Sequence, residues 1–330
     1  MTQVVIALAS GLLGWGLTGL VLIAVRNSGR LAAPTDRGLH AVATPVGGGL
    51  GLIGATLILW SLLFWPISAT RLLIGSAILS LAILSWIDDR AQLPPALRLV
   101  VQAAVMALIV FYLVPTTRLF PAIPFSLERI ALWIGWLWML NLTNFMDGID
   151  GLAGIEAITV ALGYALLTGL FPYQSPIVAF LPELALILAA ASFGYLYWNW
   201  SPAKIFMGDT GSIPLGFIFG LLMLDLALRG FWAAAVILPM YFIADATLTL
   251  LDRLRRGAKP WHAHREHAYQ QAVLSGMTHA QVALHIAVLN IALIALAILS
   301  TMAPLPTAAA SAILTLGLIT WFQTRDRPAI

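Results

Sequence analysis

The 330-residue chain is 61% hydrophobic and 9% charged, carries 17 Lys and Arg against 14 Asp and Glu, and has no cysteine. A soluble domain has about a quarter charged residues, so this composition, with a mean hydropathy of +0.94, excludes a soluble globular fold. The lack of cysteine excludes disulfides, thiolate metal sites and a cysteine nucleophile, and a net charge of +3 is too small to indicate a nucleic-acid partner.

A helix crosses the hydrocarbon core with about 20 apolar residues. In chain order, runs of that kind cover 4–25, 47–65, 70–87, 97–114, 130–146, 152–170, 177–198, 212–228, 231–251, 282–301 and 305–323. The expectation is an all-α polytopic integral membrane protein with about 11 transmembrane helices, forming one domain over residues 1–330. The first run has no basic residues before it and is too long for a cleaved signal peptide, so it reads as the first span. Counting from there, only Arg71, Arg118, Arg129 and Arg229 fall on the side of the N-terminus, against thirteen Lys and Arg on the other. Basic residues accumulate on the cytoplasmic side. The N-terminus is therefore expected outside and the C-terminus in the cytoplasm, as an odd number of spans requires.

Five polar patches, Asp88-Asp89, Asn144 to Asp150, Asp209, Asp245-Asp252 and His262 to His267, interrupt this apolar sequence and all fall at the expected cytoplasmic face, where a site is expected from loops near 26–46, 88–98, 144–154, 200–212 and 252–281. A charge at the bilayer centre costs roughly 2.5–3.5 kcal/mol on insertion scales, so clustered polar groups read as a site. Asp88-Asp89 ends the third span. Acids there oppose the helix dipole, and a cation, either Mg²⁺ or a nearby arginine, accounts for them better than a solvated helix end. Asn144, Asp147 and Asp150 recur every third residue and would share a face if the segment is helical. Gly148, Gly151 and Gly154 weaken a helix and allow a ligand close to the backbone.

Asp209 lies between glycines and hydroxyls at the start of the eighth span. Two readings stand side by side: a helix cap, or a cradle for phosphate and metal with Lys204 adding charge. Asp245 and Asp252 share a face of the ninth span, where Asp252 has Arg255 and Arg256 as partners and Asp245 lies deeper. Asp225 and Arg229, four residues apart at the outer end of the eighth span, read as a surface ion pair whose replacement would be nearly silent. The loop around His262, His264, Arg265 and His267 lacks the closed ligand set of a zinc site. It fits a basic lid over an anionic diphosphate. His279 and His285 read as interfacial or packing residues.

At these residues the chain resembles the polyprenyl-phosphate N-acetylhexosamine-1-phosphate transferases, which include the phospho-N-acetylmuramoyl-pentapeptide transferase. The resemblance runs from Thr44-Pro45-Val46-Gly47-Gly48 through Asp88-Asp89, Arg98 and Gln102, Asn144 to Gly154 and Phe206 to Ser212, and ends in the histidine loop. It implies a bacterial inner-membrane enzyme with a cytoplasmic active site. Such an enzyme transfers sugar-1-phosphate from a UDP-activated N-acetylamino sugar to undecaprenyl phosphate, with Mg²⁺ as cofactor and Mn²⁺ as a substitute. Its partners would be those two substrates and the bilayer, with a homodimer as the assembly considered.

Carried over by position, Asp209 is the main metal ligand, and Asp88 and Asp89 lie beside it as metal partner and base or nucleophile. Asn144, Asp147, Gly148, Asp150 and Phe206 form the uridine and diphosphate pocket. Arg98, Lys204, His262, His264, Arg265 and His267 grip phosphate or sugar. The spacing of His264-Arg265-Glu266-His267-Ala268-Tyr269-Gln270 is closer to the branch that initiates O-antigen or capsule chains. A transporter or flippase using the acids as an ion relay is the alternative. It calls for charges strung along a path to the far side, whereas these gather at one face.

Overall fold

The computed structural model describes residues 3–28, 31–32, 43–114, 118–172, 174–259 and 264–325. They form thirteen helices and one two-residue antiparallel pairing, β1 (Leu31–Ala32) with β2 (Thr44–Pro45). Eight helices are long and apolar enough to cross a membrane: α1 (Gln3–Asn27), α3 (Ala69–Ala91), α4 with the π-turn that continues it (Pro95–Leu113), α6 (Leu152–Leu170), α7 (Leu181–Asn199), α8 (Asp209–Leu228), α12 (His279–Leu299) and α13 (Pro304–Gln323). The chain is an all-α polytopic membrane protein.

The three remaining apolar runs are also helical. One is α2 (Gly48–Leu63), of 16 residues. Another is α5 (Phe125–Phe145), with Glu128 and Arg129 in its first turns. The run at 231–251 is not the single helix its hydropathy suggests. It divides into α9 (Trp232–Ile237) and α10 (Met240–Arg255) at Pro239, whose ring removes a backbone donor and clashes with the preceding turn. The polar stretch after α10 holds a short helix, α11 (Ala268–Leu274).

Lipid is as apolar as leucine, so helices in a membrane associate through close packing rather than hydrophobic burial. Helix α8 is the centre of the bundle and is buried along nearly its whole length. Helices α2, α3 and α5 pack around it, and small residues set the closest approach. A Cβ on Gly49 of α2 would stand 2.2 Å from the Gly211 Cα of α8, which locks the first turns of these two helices together. The segment before α8 is tied to the same place. The Phe206 N–H donates to the Pro45 carbonyl (2.8 Å), and the N–H groups of Gly47 and Gly48 donate to the Phe206 carbonyl (3.1 and 2.9 Å).

The polar ends of the helices meet on one face. The C-terminal ends of α3, α5 and α10, the N-terminal ends of α4 and α8, and the His264–His267 stretch surround one cavity.

Candidate active site

That cavity has a volume of about 650 Å³. Its polar end is built by two acids, an arginine and an amide that arrive from different helices. The Asn144 side chain, in the last turn of α5, donates through Nδ2 to Asp209 Oδ1 (2.8 Å) and to Ser212 Oγ (3.0 Å). Arg98 in the first turn of α4 reaches Asp88 Oδ2 at 2.5 Å and Asp209 Oδ2 at 3.6 Å. Asp209 is thus held by an amide on one oxygen and faces a guanidinium on the other. It remains about one-third exposed.

Asp88 and Asp89 do different things. Asp88 is buried, and its second oxygen accepts the Leu93 N–H (2.8 Å) just past the end of α3, so both oxygens are engaged. Asp89 is exposed and lies close enough to feel the charges of both Asp88 and Asp209. Of the pair, it is the carboxylate left available to a cation. Asp147, in the turn after α5, is pushed well above the usual carboxylate range by burial, and then by the charges of Asp209 and Asp150.

The opposite wall is apolar, with Leu84, Leu99, Ile134, Leu137 and Leu250 lining it. Leu99 and Ile134 are 49% and 55% exposed, so the cavity opens along helix faces that lie towards lipid. His264 and His267 line the third side. Burial, with His267 and Arg253 nearby, pulls the His264 imidazole down to about 4, so at neutral pH it acts as a neutral hydrogen-bonding group. Within the expected basic, hydrogen-bonding lid, His264 is then a hydrogen-bonding member and the neighbouring Arg265 a cationic one.

Residues 71–227 match the sequence model of Glycosyl transferase family 4. The probable undecaprenyl-phosphate N-acetylglucosaminyl 1-phosphate transferase of Bacillus subtilis (strain 168) is 26% identical over 265 residues, which cover 76% of this chain and 72% of that protein. The phospho-N-acetylmuramoyl-pentapeptide-transferase of Mycobacterium ulcerans (strain Agy99) is 42% identical over 95 residues. The Mycobacterium tuberculosis (strain ATCC 25177 / H37Ra) protein of that name is 41% identical over 96 residues. These two matches span 26% of this chain and 26% of each relative's length. Over residues 71–227 the chain is similar to glycosyl transferase family 4.

Asp88, Arg98, Asn144, Asp209, His264 and His267 share one cavity, and the other expected residues do not line it. Asn144, Asp147 and Asp150 do not lie on one helix face. Helix α5 ends at Phe145, and Gly151 at φ 80° caps α6, so the chain turns between them. Asp150 faces away from the cavity, accepting the Ala203 N–H (3.1 Å) and pairing with His279 Nδ1 (3.3 Å). Gly148 is small for a reason other than ligand access, because a Cβ there would stand 2.1 Å from the Tyr269 hydroxyl. Lys204 is exposed and lies over the rings of Tyr197 (4.8 Å) and Trp198 (5.2 Å). Phe206 and Arg265 are partly buried beside the site without lining the cavity. His262 lies outside the described residues.

Gln102 and Asn141 line the cavity and were not among the expected site residues. The spacing that would have found them is helical. Gln102 is one turn beyond Arg98 and Asn141 about one turn before Asn144, and Asn141 Nδ2 donates to Gln102 Oε1 (3.3 Å).

Asp245 explains how the histidine segment is held. It is fully buried, and Oδ1 accepts the Ala268 N–H (2.8 Å) and the Thr249 hydroxyl (3.2 Å). Oδ2 accepts the Tyr269 N–H (3.3 Å) and the Tyr241 hydroxyl (3.1 Å). This carboxylate fastens the first turn of α11, next to His264 and His267, to α10. A buried donor left without its acceptor costs about 1–3 kcal/mol, and 1.4 kcal/mol is tenfold in an opening equilibrium. Asp245→Ala is therefore expected to speed hydrogen exchange of amides 268–274 at least tenfold while those of α8 are unchanged. An equal change in α8 would make Asp245 a residue of the general core instead.

Proposed function

We propose that this protein transfers sugar-1-phosphate from a UDP-activated N-acetylamino sugar to undecaprenyl phosphate at the cytoplasmic face of a bacterial inner membrane. In the proposed step, an oxygen of the lipid phosphate attacks the phosphorus that carries the sugar. The bond from that phosphorus to the UMP oxygen breaks, leaving undecaprenyl-diphospho-sugar and UMP. A phosphate monoester is largely ionised near neutral pH, so direct attack requires no protein base. The observation that carries this reading is the two-sided cavity: Asp209, Asn144 and Arg98 at one end, an apolar wall open towards lipid at the other.

Phosphoryl transfer depends mainly on positioning and charge neutralisation, and each wall suits one substrate. Arg98 and the donors around His264 face the phosphates, and the leucines of α3, α4, α5 and α10 face the prenyl chain. Among the described residues, no three acids or histidines stand close enough to hold a metal alone. Magnesium requires less, since it takes one or two carboxylates and fills its shell with water and substrate phosphates. The all-oxygen set of Asp209 and Asp89 fits that demand, with Asp88 engaged by Arg98 and Leu93. When bound, the cation supplies charge neutralisation on the diphosphate. The histidine-segment spacing supports a role in initiating an envelope polysaccharide such as O-antigen.

The test is an assay of purified protein with undecaprenyl phosphate, Mg²⁺ and a panel of UDP-sugars, following UMP. UMP is expected only when lipid, metal and one class of UDP-N-acetylamino sugar are all present. Release without lipid, or no release with any donor in active lipid and detergent mixtures, would overturn the reading.

A further inference from the structure

A second, smaller groove lies at the opposite membrane face. It has a volume of about 220 Å³ and runs between the C-terminal half of α2 and the N-terminal half of α3, lined by Trp60, Ser61, Arg71, Gly75 and Leu79 among others. Arg71 and Asp88 are seventeen residues apart on α3, or roughly 25 Å at 1.5 Å per residue. The groove is therefore separated from the candidate active site by most of a hydrocarbon core.

The Arg71 side chain is 96% buried by its 4% exposure. One terminal nitrogen donates to the Pro66 carbonyl, and the guanidinium lies 5.2 Å from the centre of the Phe180 ring. Its Nε and its other terminal nitrogen have no acceptor, and among the described residues no carboxylate pairs with it. An arginine keeps its charge in any protein environment. A guanidinium buried with unused donors at the positive end of a helix has the electrostatics of an anion site.

The groove also states what kind of anion suits it. Its outer edge is apolar and faces lipid, with Ile67, Leu72 and Leu79 36%, 63% and 52% exposed. A free phosphate ion would gain nothing from those side chains. An anionic lipid would place its headgroup on Arg71 and its chains along Leu72 and Leu79. The base of the groove is firmly held, since Trp60 Nε1 donates to the Phe180 carbonyl (2.9 Å) and Phe64 stacks on Phe180 (4.7 Å between centroids). We propose that this groove binds the headgroup phosphate of an anionic phospholipid in the leaflet opposite the candidate active site.

The proposal is tested by native mass spectrometry of the full chain in detergent, incubated with phosphatidylglycerol or with diacylglycerol of the same chains. Wild type is expected to retain one phosphatidylglycerol under activation that strips diacylglycerol. Arg71→Met is expected to lower the retained fraction at least tenfold. Gly75→Leu is the second variant, because it leaves Arg71 intact and a Cβ at Gly75 meets nothing within 4 Å. It fills the groove and should lower retention to the same degree, so it decides the matter even if Arg71→Met does not fold. Retention equal to wild type in Gly75→Leu overturns the proposal. So does competition by glycerol 3-phosphate at the same concentration as the lipid, which would mark a site for free anions.

Discussion

Replacing Asp209 with alanine is expected to slow UMP release about a hundred- to a thousandfold, with helical content and elution in detergent unchanged. Three features of the site lead to that magnitude. Asp209 is the carboxylate on which the Asn144 amide and the Arg98 guanidinium converge, at the first position of the central helix α8. It is partly exposed to the cavity, whereas Asp88 is buried and bonded at both oxygens. Removing one preorganised electrostatic group at a reacting centre costs about 2.7–4 kcal/mol, and each 1.36 kcal/mol is tenfold in rate. The loss should fall on kcat and should not be recovered by raising Mg²⁺ or donor. Activity within tenfold of wild type would remove Asp209 from the reacting centre and shift attention to Asp89.

The second large effect is on stability and lies at the other face. Asp225→Asn is expected to destabilise the protein by about 3–5 kcal/mol, the usual result of breaking a buried pair from one side. The sequence led to the opposite expectation, a surface pair that could be changed silently. In the structure Arg229 and Asp225 side chains are 1% and 0% exposed. Asp225 accepts from Arg229 Nε (2.5 Å), from the Tyr164 hydroxyl (2.5 Å) and from the Ser175 hydroxyl. It thus joins α6, α8 and the segment before α7 around one charge. An asparagine keeps the shape but leaves the arginine charge in a site that water does not reach. Asp252→Asn is the control, since its pair with Arg256 is exposed on both sides. Thermal unfolding in detergent should separate the two. Equal midpoints would show that the buried cluster contributes nothing.

The misjudged pair shows where reading a sequence stops. An i,i+4 acid and arginine at the end of an apolar run looks the same whether that helix borders lipid or stands at the centre of a bundle. The difference is made by α8 having neighbours on every side, and no periodicity within residues 209–228 records it. The same limit applies to the segment from Asn144 to Asp150. Three polar residues at a spacing of three suggest a shared face, but the helix stops at Phe145 and the chain turns. Asn144 is left aimed at Asp209 and Asp150 at Ala203 and His279. Lys204, near Asp209 in sequence, suggested a phosphate contact, and in the structure its ammonium lies over the rings of Tyr197 and Trp198.

The membrane class, the helical content and the gathering of polar groups at one end of the helices follow from composition and run length alone. Lipid permits only internally bonded backbone and penalises every charge, so solvent cost writes them directly into local sequence. Asp209, Asn144 and Asp88 were legible for the same reason, as polar groups in places where an apolar residue is the default, while Arg98 came from the family resemblance. Tertiary structure decided which of them meet. Asp209 and Asn144 are 65 residues apart and come together because Gly216, where a Cβ would stand 2.7 Å from the Leu140 Cα, lets α5 pack closely on α8. It also decided that Asp245 is an anchor for α11 and that Asp225 is core. Those roles depend on which helix faces which, a long-range packing choice that single-residue costs do not encode.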